Sequence, residues 1–152
     1  KEDGGIVIEK GQHGKPYLAG FSDIHFNISH CDGLAVCAIY SRPVGIDVER
    51  IRPCQDGLLR RVLTEKERQQ VLAADGEEEQ ERCFIRFWTL KESYLKAVGC
   101  GITVPLTDVE FDLADRETNH IVCSVPGYSF WQEQISEDII LSVCAANHCF
   151  NC

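Results

Sequence analysis

Three features are scarce or missing in the sequence, and each narrows the kind of protein it encodes. Positive charge is scarce: 15 Lys and Arg stand against 24 Asp and Glu, and the formal net charge is −9. Binding to nucleic acid needs clustered cations for the phosphates, so we expect no nucleic-acid partner. No apolar run approaches the roughly 20 residues of a membrane helix, and no signal-peptide pattern is present. We therefore expect a cytoplasmic protein without a membrane segment.

Methionine is missing altogether, and the chain begins with lysine. The chain is therefore either processed or cut from a longer parent, and we favour the cut. Residues 1–22 are rich in glycine and polar residues, which favours a linker or an extended arm. Residues 23–148 carry the patterns of one folded domain. The chain length fits a single domain with its own core.

Cysteine is abundant, with nine residues, an odd number. Most lie in apolar segments such as "AVCAIY", where a reduced cysteine acts as a small buried hydrophobe, and we expect free thiols there. The C-terminal run brings together four zinc-type ligands, Cys144, His148, Cys149 and Cys152. Structural zinc sites usually have four well-spaced ligands, so one terminal cluster is not enough to predict such a site.

The periodicity of the apolar residues predicts an α+β fold. Residues 34–40 and 44–49 have the composition of strands, and later segments alternate in the same way. Thr64 and Glu67 have the spacing of a helix capping box. Residues 78–98 have a broad apolar arc at helical spacing. We therefore expect an antiparallel sheet of about five strands packed against helices.

The run "GIDVER" places two carboxylates, Asp47 and Glu49, on one face of a predicted strand. They are either solvated on the outer face of an edge strand or buried in a central one. The neighbouring segments are apolar, which favours a central strand. Two carboxylates there would cost several kcal/mol unless a cation compensated them. A hard divalent cation with oxygen ligands is the natural compensation.

Other polar residues have simple structural explanations when each is taken alone. Glu92 and Lys96 have the i,i+4 spacing of a surface ion pair on a helix. Lys91 lies within the apolar arc, where its stem either extends to solvent or its ammonium meets an anion. In "HFNISH", Ser29 and His30 fit a turn with a capping serine.

Four motifs in this order and spacing are more specific than any one of them: "GKP", "FNISH", "GIDVE" and "FWTLKESYLKAVGCGI". Together they resemble the 4′-phosphopantetheinyl transferases of the surfactin-synthetase-activating type. The resemblance extends from about Gly14 to about Ala146. It implies an enzyme that moves the phosphopantetheine arm of coenzyme A onto a serine of an apo carrier protein. Adenosine 3′,5′-bisphosphate would be the second product.

The resemblance also implies a role for most of the polar residues in these motifs. The implied Mg²⁺ ligands are Asp47, Glu49 and Glu92, and Glu92 also resembles the base that takes the serine proton, or the residue that orients it. The implied contacts to the coenzyme A phosphates are Lys15, Ser29 and His30. Lys96 is similar to a lysine that contacts the pyrophosphate. Lys91 is carried over as a neighbour of the metal and the phosphates.

The chain departs from this family type in length. Members of that type have two similar halves with the active site between them, and only the second half and the stretch before it are matched. Either the chain is a fragment, which we favour, or copies of it self-associate to rebuild the cleft. A non-enzymatic alternative is an inactive half-unit that serves only as a metal-binding or carrier-protein docking module.

Overall fold

The computed structural model describes residues 5–99, 104–113 and 121–147. The strands within these ranges are β1 (Ile8–Lys10), β2 (Pro16–Leu18), β3 (His25–Cys31), β4 (Leu34–Tyr40), β5 (Val44–Arg50), β6 (Phe111–Asp112), β7 (Val122–Cys123), β8 (Tyr128–Ser136) and β9 (Ile139–Ala146). The helices are α1 (Asp56–Val62), α2 (Glu65–Leu72) and α3 (Glu77–Val98), with a short 3-10 helix at Leu106–Asp108.

The described strands form antiparallel pairs, which confirms the predicted α+β class. The five long strands are divided between two sheets. One is a three-stranded sheet in the order β5-β9-β8, and the other is the β3–β4 hairpin. Two small hairpins, β1–β2 and β6–β7, complete the strand pairing. The segment predicted as an arm therefore contains the β1–β2 hairpin.

Side chains from β3 occupy the edge of β5 where a further strand could pair. The Ile46 amide donates to the Asn27 side-chain oxygen at 2.9 Å, and the Val48 amide donates to the Ser29 hydroxyl at 3.2 Å. Because these amides are bonded to side chains, β3 lies against β5 without a backbone ladder between them. This is why one predicted sheet is found as two.

Helix α3 packs against β5 and β9 and carries much of the core. The main apolar cluster consists of Val62, Leu63, Val71, Phe84, Ile85, Phe87, Leu90, Val109, Phe111, Leu113 and Ile140. A glycine sets how closely α3 approaches β5. A Cβ added at Gly45 would lie 2.0 Å from the Ser93 carbonyl oxygen and 2.4 Å from the Ala97 amide nitrogen. Only glycine fits this crossing.

Both predicted helix features are confirmed. The helix predicted at 78–98 is α3, and it ends where Gly99 adopts a left-handed conformation with φ of 74°. The capping box at the start of α2 is present in both directions, between Thr64 and Glu67. No helix of the described ranges is long and apolar enough to cross a membrane.

The cysteines in the described ranges are all free thiols: Cys31, Cys37, Cys54, Cys83, Cys123 and Cys144. Cys144 is fully buried on β9, and this burial raises the pKa of its thiol. A buried thiol with a raised pKa is a poor nucleophile and a poor metal ligand. The other members of the C-terminal Cys/His cluster, at 148, 149 and 152, lie outside the described residues.

Candidate active site

Asp47 is the centre of the candidate site. Its side chain is buried in the middle of β5, with 4% of its surface exposed. The oxygen Oδ1 accepts from the Lys96 ammonium at 2.7 Å and from the Ser29 hydroxyl at 3.2 Å. The other oxygen, Oδ2, is buried and has no hydrogen-bond partner among the described residues. Such an orphaned carboxylate oxygen is what a cation would satisfy.

Lys96 joins three elements at this point. Its ammonium on α3 donates to Asp47 and to the Ile46 carbonyl of β5, and to the Ser29 hydroxyl of β3 at 3.1 Å. A lysine ammonium has three protons, so this set uses all of its donors. Taken alone, the sequence spacing made Lys96 a surface partner of Glu92. In the structure Lys96 is instead the counterion of the buried Asp47.

Glu49 lies two residues further along β5 and is held by different partners. Its Oε2 accepts from the Arg52 guanidinium at 2.7 Å, and its Oε1 accepts from the Trp88 indole at 3.3 Å. Both carboxylates of "GIDVE" therefore have a side-chain cation against them. For Asp47 the cation comes from α3, and for Glu49 it comes from the loop after β5.

Glu92 lies half-buried on α3, one turn before Lys96. Burial raises the pKa of its carboxyl above the ordinary value, and the negative charges of Asp47 and Glu49 raise it further. Burial is likewise the main cause that raises the pKa of Asp47. The three carboxylates thus repel one another, which suits a divalent cation chemically. Within the described residues, however, no three Asp, Glu, His or Cys side chains are already arranged around a metal position.

The raised pKa of Glu92 predicts a pH-dependent effect of the variant Glu92→Gln. The native state resists ionisation of Glu92, so the stability that this group contributes is fully present below its ordinary pKa of 4.5 and is lost as the pH rises through the raised value. The amide does not ionise. We expect Glu92→Gln to gain stability relative to the wild type as the pH rises from 4.5 to neutrality, measured by urea unfolding. Glu78→Gln, at an exposed position of α3, is the control, and parallel curves for wild type and Glu92→Gln would contradict the prediction.

A pocket of about 240 Å³ opens beside these residues. It is lined by His13, Gly14, Lys15, Pro16, Asn27, Glu92, Leu95, Lys96 and Gly99. The pocket therefore brings the predicted site residues Lys15, Glu92 and Lys96 together. Its other wall is the turn of the β1–β2 hairpin, within the segment predicted as an arm.

Lys15 reaches this pocket but is held by the backbone. Its ammonium donates to the carbonyl oxygens of Val44 at 3.1 Å, Lys96 at 2.7 Å and Ala97 at 3.1 Å. Two of these carbonyls lie in the last turn of α3, where a cation also interacts favourably with the helix dipole. Burial lowers the pKa of Lys15. Lys15 therefore links the β1–β2 hairpin to the start of β5 and to the last turn of α3.

The structure does not bring His30 and Lys91 to this pocket. His30 is exposed and, because strand side chains alternate, lies on the face of β3 opposite Ser29. Lys91 is fully buried, and its ammonium donates to Glu67 at 2.7 Å and to the carbonyls of Leu106 at 2.8 Å and Val109 at 2.6 Å. The anion met by Lys91 is thus the capping-box glutamate of α2.

Two residues of the site were not singled out from the sequence. Asn27 lines the pocket and bonds to the Ile46 amide, and Gly45 permits the close crossing of α3. A signal existed for each. Asn27 alternates with Ser29 on one face of a strand, and Gly45 is an isolated glycine within a strand, which often marks a close backbone approach.

Comparisons with known proteins show to which family the chain belongs. The sequence model of the 4′-phosphopantetheinyl transferase superfamily matches residues 43–144, which include β5, α3 and most of β9. The chain belongs to this superfamily. The match contains Asp47, Glu49, Glu92 and Lys96, whereas Lys15 and Ser29 lie before it.

Curated 4′-phosphopantetheinyl transferases are similar to most of the chain. The transferase Sfp of Bacillus subtilis (strain 168) is 32% identical over 152 residues, which cover 93% of this chain and 64% of Sfp. The transferase gsp of Aneurinibacillus migulanus is 39% identical over 113 residues, which cover 74% of this chain and 46% of gsp. The chain thus spans about half to two thirds of the length of these superfamily members.

One solved structure of a related enzyme shares the fold. It is a holo-(acyl-carrier-protein) synthase from Bacillus anthracis str. Ames in complex with coenzyme A (3′,5′-ADP). The TM-score is 0.54 at 28% sequence identity, and the match covers 68% of this chain and 94% of the synthase chain. The 4′-phosphopantetheinyl transferase unit described here therefore corresponds to nearly the whole of that shorter protein.

Proposed function

We propose that the protein transfers the 4′-phosphopantetheine arm of coenzyme A to a serine of an apo acyl or peptidyl carrier protein, releasing adenosine 3′,5′-bisphosphate. The observation that carries the proposal is the buried Asp47 carboxylate, bonded to Lys96 and Ser29 beside an open pocket, in a chain of this superfamily. The structural neighbour, a holo-(acyl-carrier-protein) synthase, was solved in complex with coenzyme A. The cytoplasmic location remains part of the proposal.

Magnesium is the metal that the proposal assigns to the site, with Asp47, Glu49 and Glu92 as the residues that would hold it. The orphaned Oδ2 of Asp47 and the mutual repulsion of the carboxylates support this assignment. When bound, Mg²⁺ would neutralise charge on the pyrophosphate as a Lewis acid and template.

The chain's own residues supply the other functions of the proposal. Lys96 lines the pocket and would take charge that develops on the departing phosphate. Glu92 lines the pocket and would take the proton of the carrier serine or orient the base that takes it. Ser29 orients Asp47 and Lys96 through its hydrogen bonds. Contacts of Lys15, Ser29 and His30 with the coenzyme A phosphates remain predictions, and so does the rebuilding of the cleft by self-association.

The length of the chain favours a second candidate function. Because the chain spans only 64% of Sfp and 46% of gsp, it is also consistent with a half-unit that binds a cation or a carrier protein without transferring anything. Turnover by this chain alone would exclude that alternative.

The first experiment is isothermal titration of coenzyme A with and without Mg²⁺, followed by transfer to an apo carrier protein. We expect micromolar, Mg²⁺-dependent binding. Asp47→Ala should lower transfer by at least about 10²-fold, because it removes the carboxylate at the centre of the site. Glu78→Gln, at an exposed position of α3, is the matched control. An active Asp47→Ala variant would refute the metal role, and no binding by the wild type would favour the half-unit.

A further inference from the structure

Two side-chain cations lie directly on the carboxylates of β5. The Lys96 ammonium is 2.7 Å from Oδ1 of Asp47, and the Arg52 guanidinium is 2.7 Å from Oε2 of Glu49. Each of these carboxylates therefore shares its charge with a tethered positive group. A divalent cation at the unpartnered Oδ2 of Asp47 would meet the repulsion of the Lys96 ammonium, which lies on the other oxygen of the same carboxylate.

The two contacts differ in burial and so in strength. The Asp47 side chain is only 6% exposed and that of Lys96 is 28% exposed. Arg52 is 52% exposed, and the Arg52–Glu49 pair is local in sequence. Charge-assisted bonds to buried groups are stronger than exposed pairs, which water screens. Lys96 should thus be the stronger of the two tethered cations.

We infer that Lys96 is a built-in competitor of the divalent cation at Asp47, and that cation binding displaces its ammonium toward the phosphate pocket. This rests on the proposed function, because it takes Asp47 as a ligand of the cation. The geometry provides the route. Lys96 lines the pocket as well as touching Asp47, so a released ammonium stays beside the place where a phosphate would bind. Cation binding and phosphate binding are then coupled through one side chain.

Within the described ranges, Lys15 is the other lysine that lines the pocket. Its ammonium has its donors on three backbone carbonyls. None of these three acceptors is a carboxylate, so a divalent cation does not compete with Lys15 for them. Lys96, in contrast, bonds to Asp47, and the Asp47 carboxylate is the group that the cation would bind.

The test measures Mn²⁺ affinity by electron paramagnetic resonance in the absence of coenzyme A. We expect Lys96→Met to raise the affinity about tenfold or more, since it removes a charge-assisted bond from Asp47. Arg52→Met should raise it less, by about fivefold at most. Lys66→Met is the control for the loss of one positive charge, because Lys66 lies on the surface against Glu110, and it should leave the affinity unchanged. Equal affinities for wild type and Lys96→Met would overturn the inference.

A second measurement needs no substitution at Lys96. In the wild type, the Lys96 ammonium should give a protected ¹⁵N–¹H resonance, assigned by its loss in Lys96→Met. Mg²⁺ should shift or broaden it at the concentrations that saturate the site, and a resonance unchanged at saturation would overturn the inference. Asp47→Asn separates the two failures. If it leaves Mn²⁺ affinity unchanged, the proposed metal site itself is wrong. If it weakens Mn²⁺ while Lys96→Met has no effect, only the competition is wrong.

Discussion

The Gly45→Ala variant is expected to lose about 3 kcal/mol of stability or more, and to fold poorly at physiological temperature. The added methyl would lie 2.0 Å from the Ser93 carbonyl oxygen and 2.4 Å from the Ala97 amide nitrogen. Both obstacles are backbone atoms of α3, so no side-chain rotation relieves the clash. The helix would have to move away from β5, which would also separate Lys96 from Asp47. Urea unfolding followed by circular dichroism measures the loss.

Gly57→Ala is the matched control for this experiment. Gly57 lies in α1, and a Cβ added there meets nothing within 4 Å. Alanine is the better helix former by roughly 1 kcal/mol, so this variant should be as stable as the wild type or more so. If Gly45→Ala unfolds at the same urea concentration as Gly57→Ala, the close crossing of α3 and β5 is wrong.

The Lys91→Met variant is expected to lose about 3–5 kcal/mol, the usual effect of removing one partner of a buried ion pair. Glu67, with 0% of its surface exposed, would keep its hydrogen bonds from the Thr64 and Phe111 amides but would lose its counterion. The carbonyls of Leu106 and Val109 would lose their donor at the same time. Methionine keeps most of the side-chain volume, so the loss reports the charge and its hydrogen bonds rather than a cavity. Denaturant unfolding at neutral pH gives the free energy.

A double-mutant cycle makes this prediction specific. Lys91→Met combined with Glu67→Gln should be less destabilised than the sum of the single variants, because the amide no longer buries an uncompensated charge. Lys66→Met is the control, since it breaks an exposed pair with Glu110 and should change the free energy by about 1 kcal/mol at most. A Lys91→Met variant as stable as the wild type would show that the buried pair does not hold α2 to α3.

Local patterns in the sequence predicted local structure well. The helix at 78–98 and the Thr64–Glu67 capping box depend on residues within one or two turns of each other, and both are confirmed. The strands at 34–40 and 44–49 likewise follow from composition over a few residues. The resemblance to the transferase family carried the prediction further, to residues that the fold brings together from β3, β5 and α3.

Contacts between distant segments could not be predicted in the same way. Lys91 was expected to reach solvent or an anion, and periodicity does not reveal that the anion is Glu67, on another helix. The division of the strands into two sheets also depends on tertiary contacts. Asn27 and Ser29 bond to the amides of β5 that a neighbouring strand would otherwise use. Strand propensity contains no information on which partner an edge amide takes.

The joint between β3 and β5 has a consequence for motion. The two sheets meet through the Asn27 and Ser29 side chains and a small apolar cluster around Ile46 and Val48 rather than through a ladder. Sliding one sheet along the other breaks only a few hydrogen bonds, each worth about 1 kcal/mol. Packed apolar surfaces also tolerate small sliding movements. Ser29 lies in this joint and also accepts a hydrogen bond from Lys96, so a ligand that moved the Lys96 side chain would act on the bonds between the two sheets. Amide exchange at Val48 would then report pocket occupancy from inside the fold.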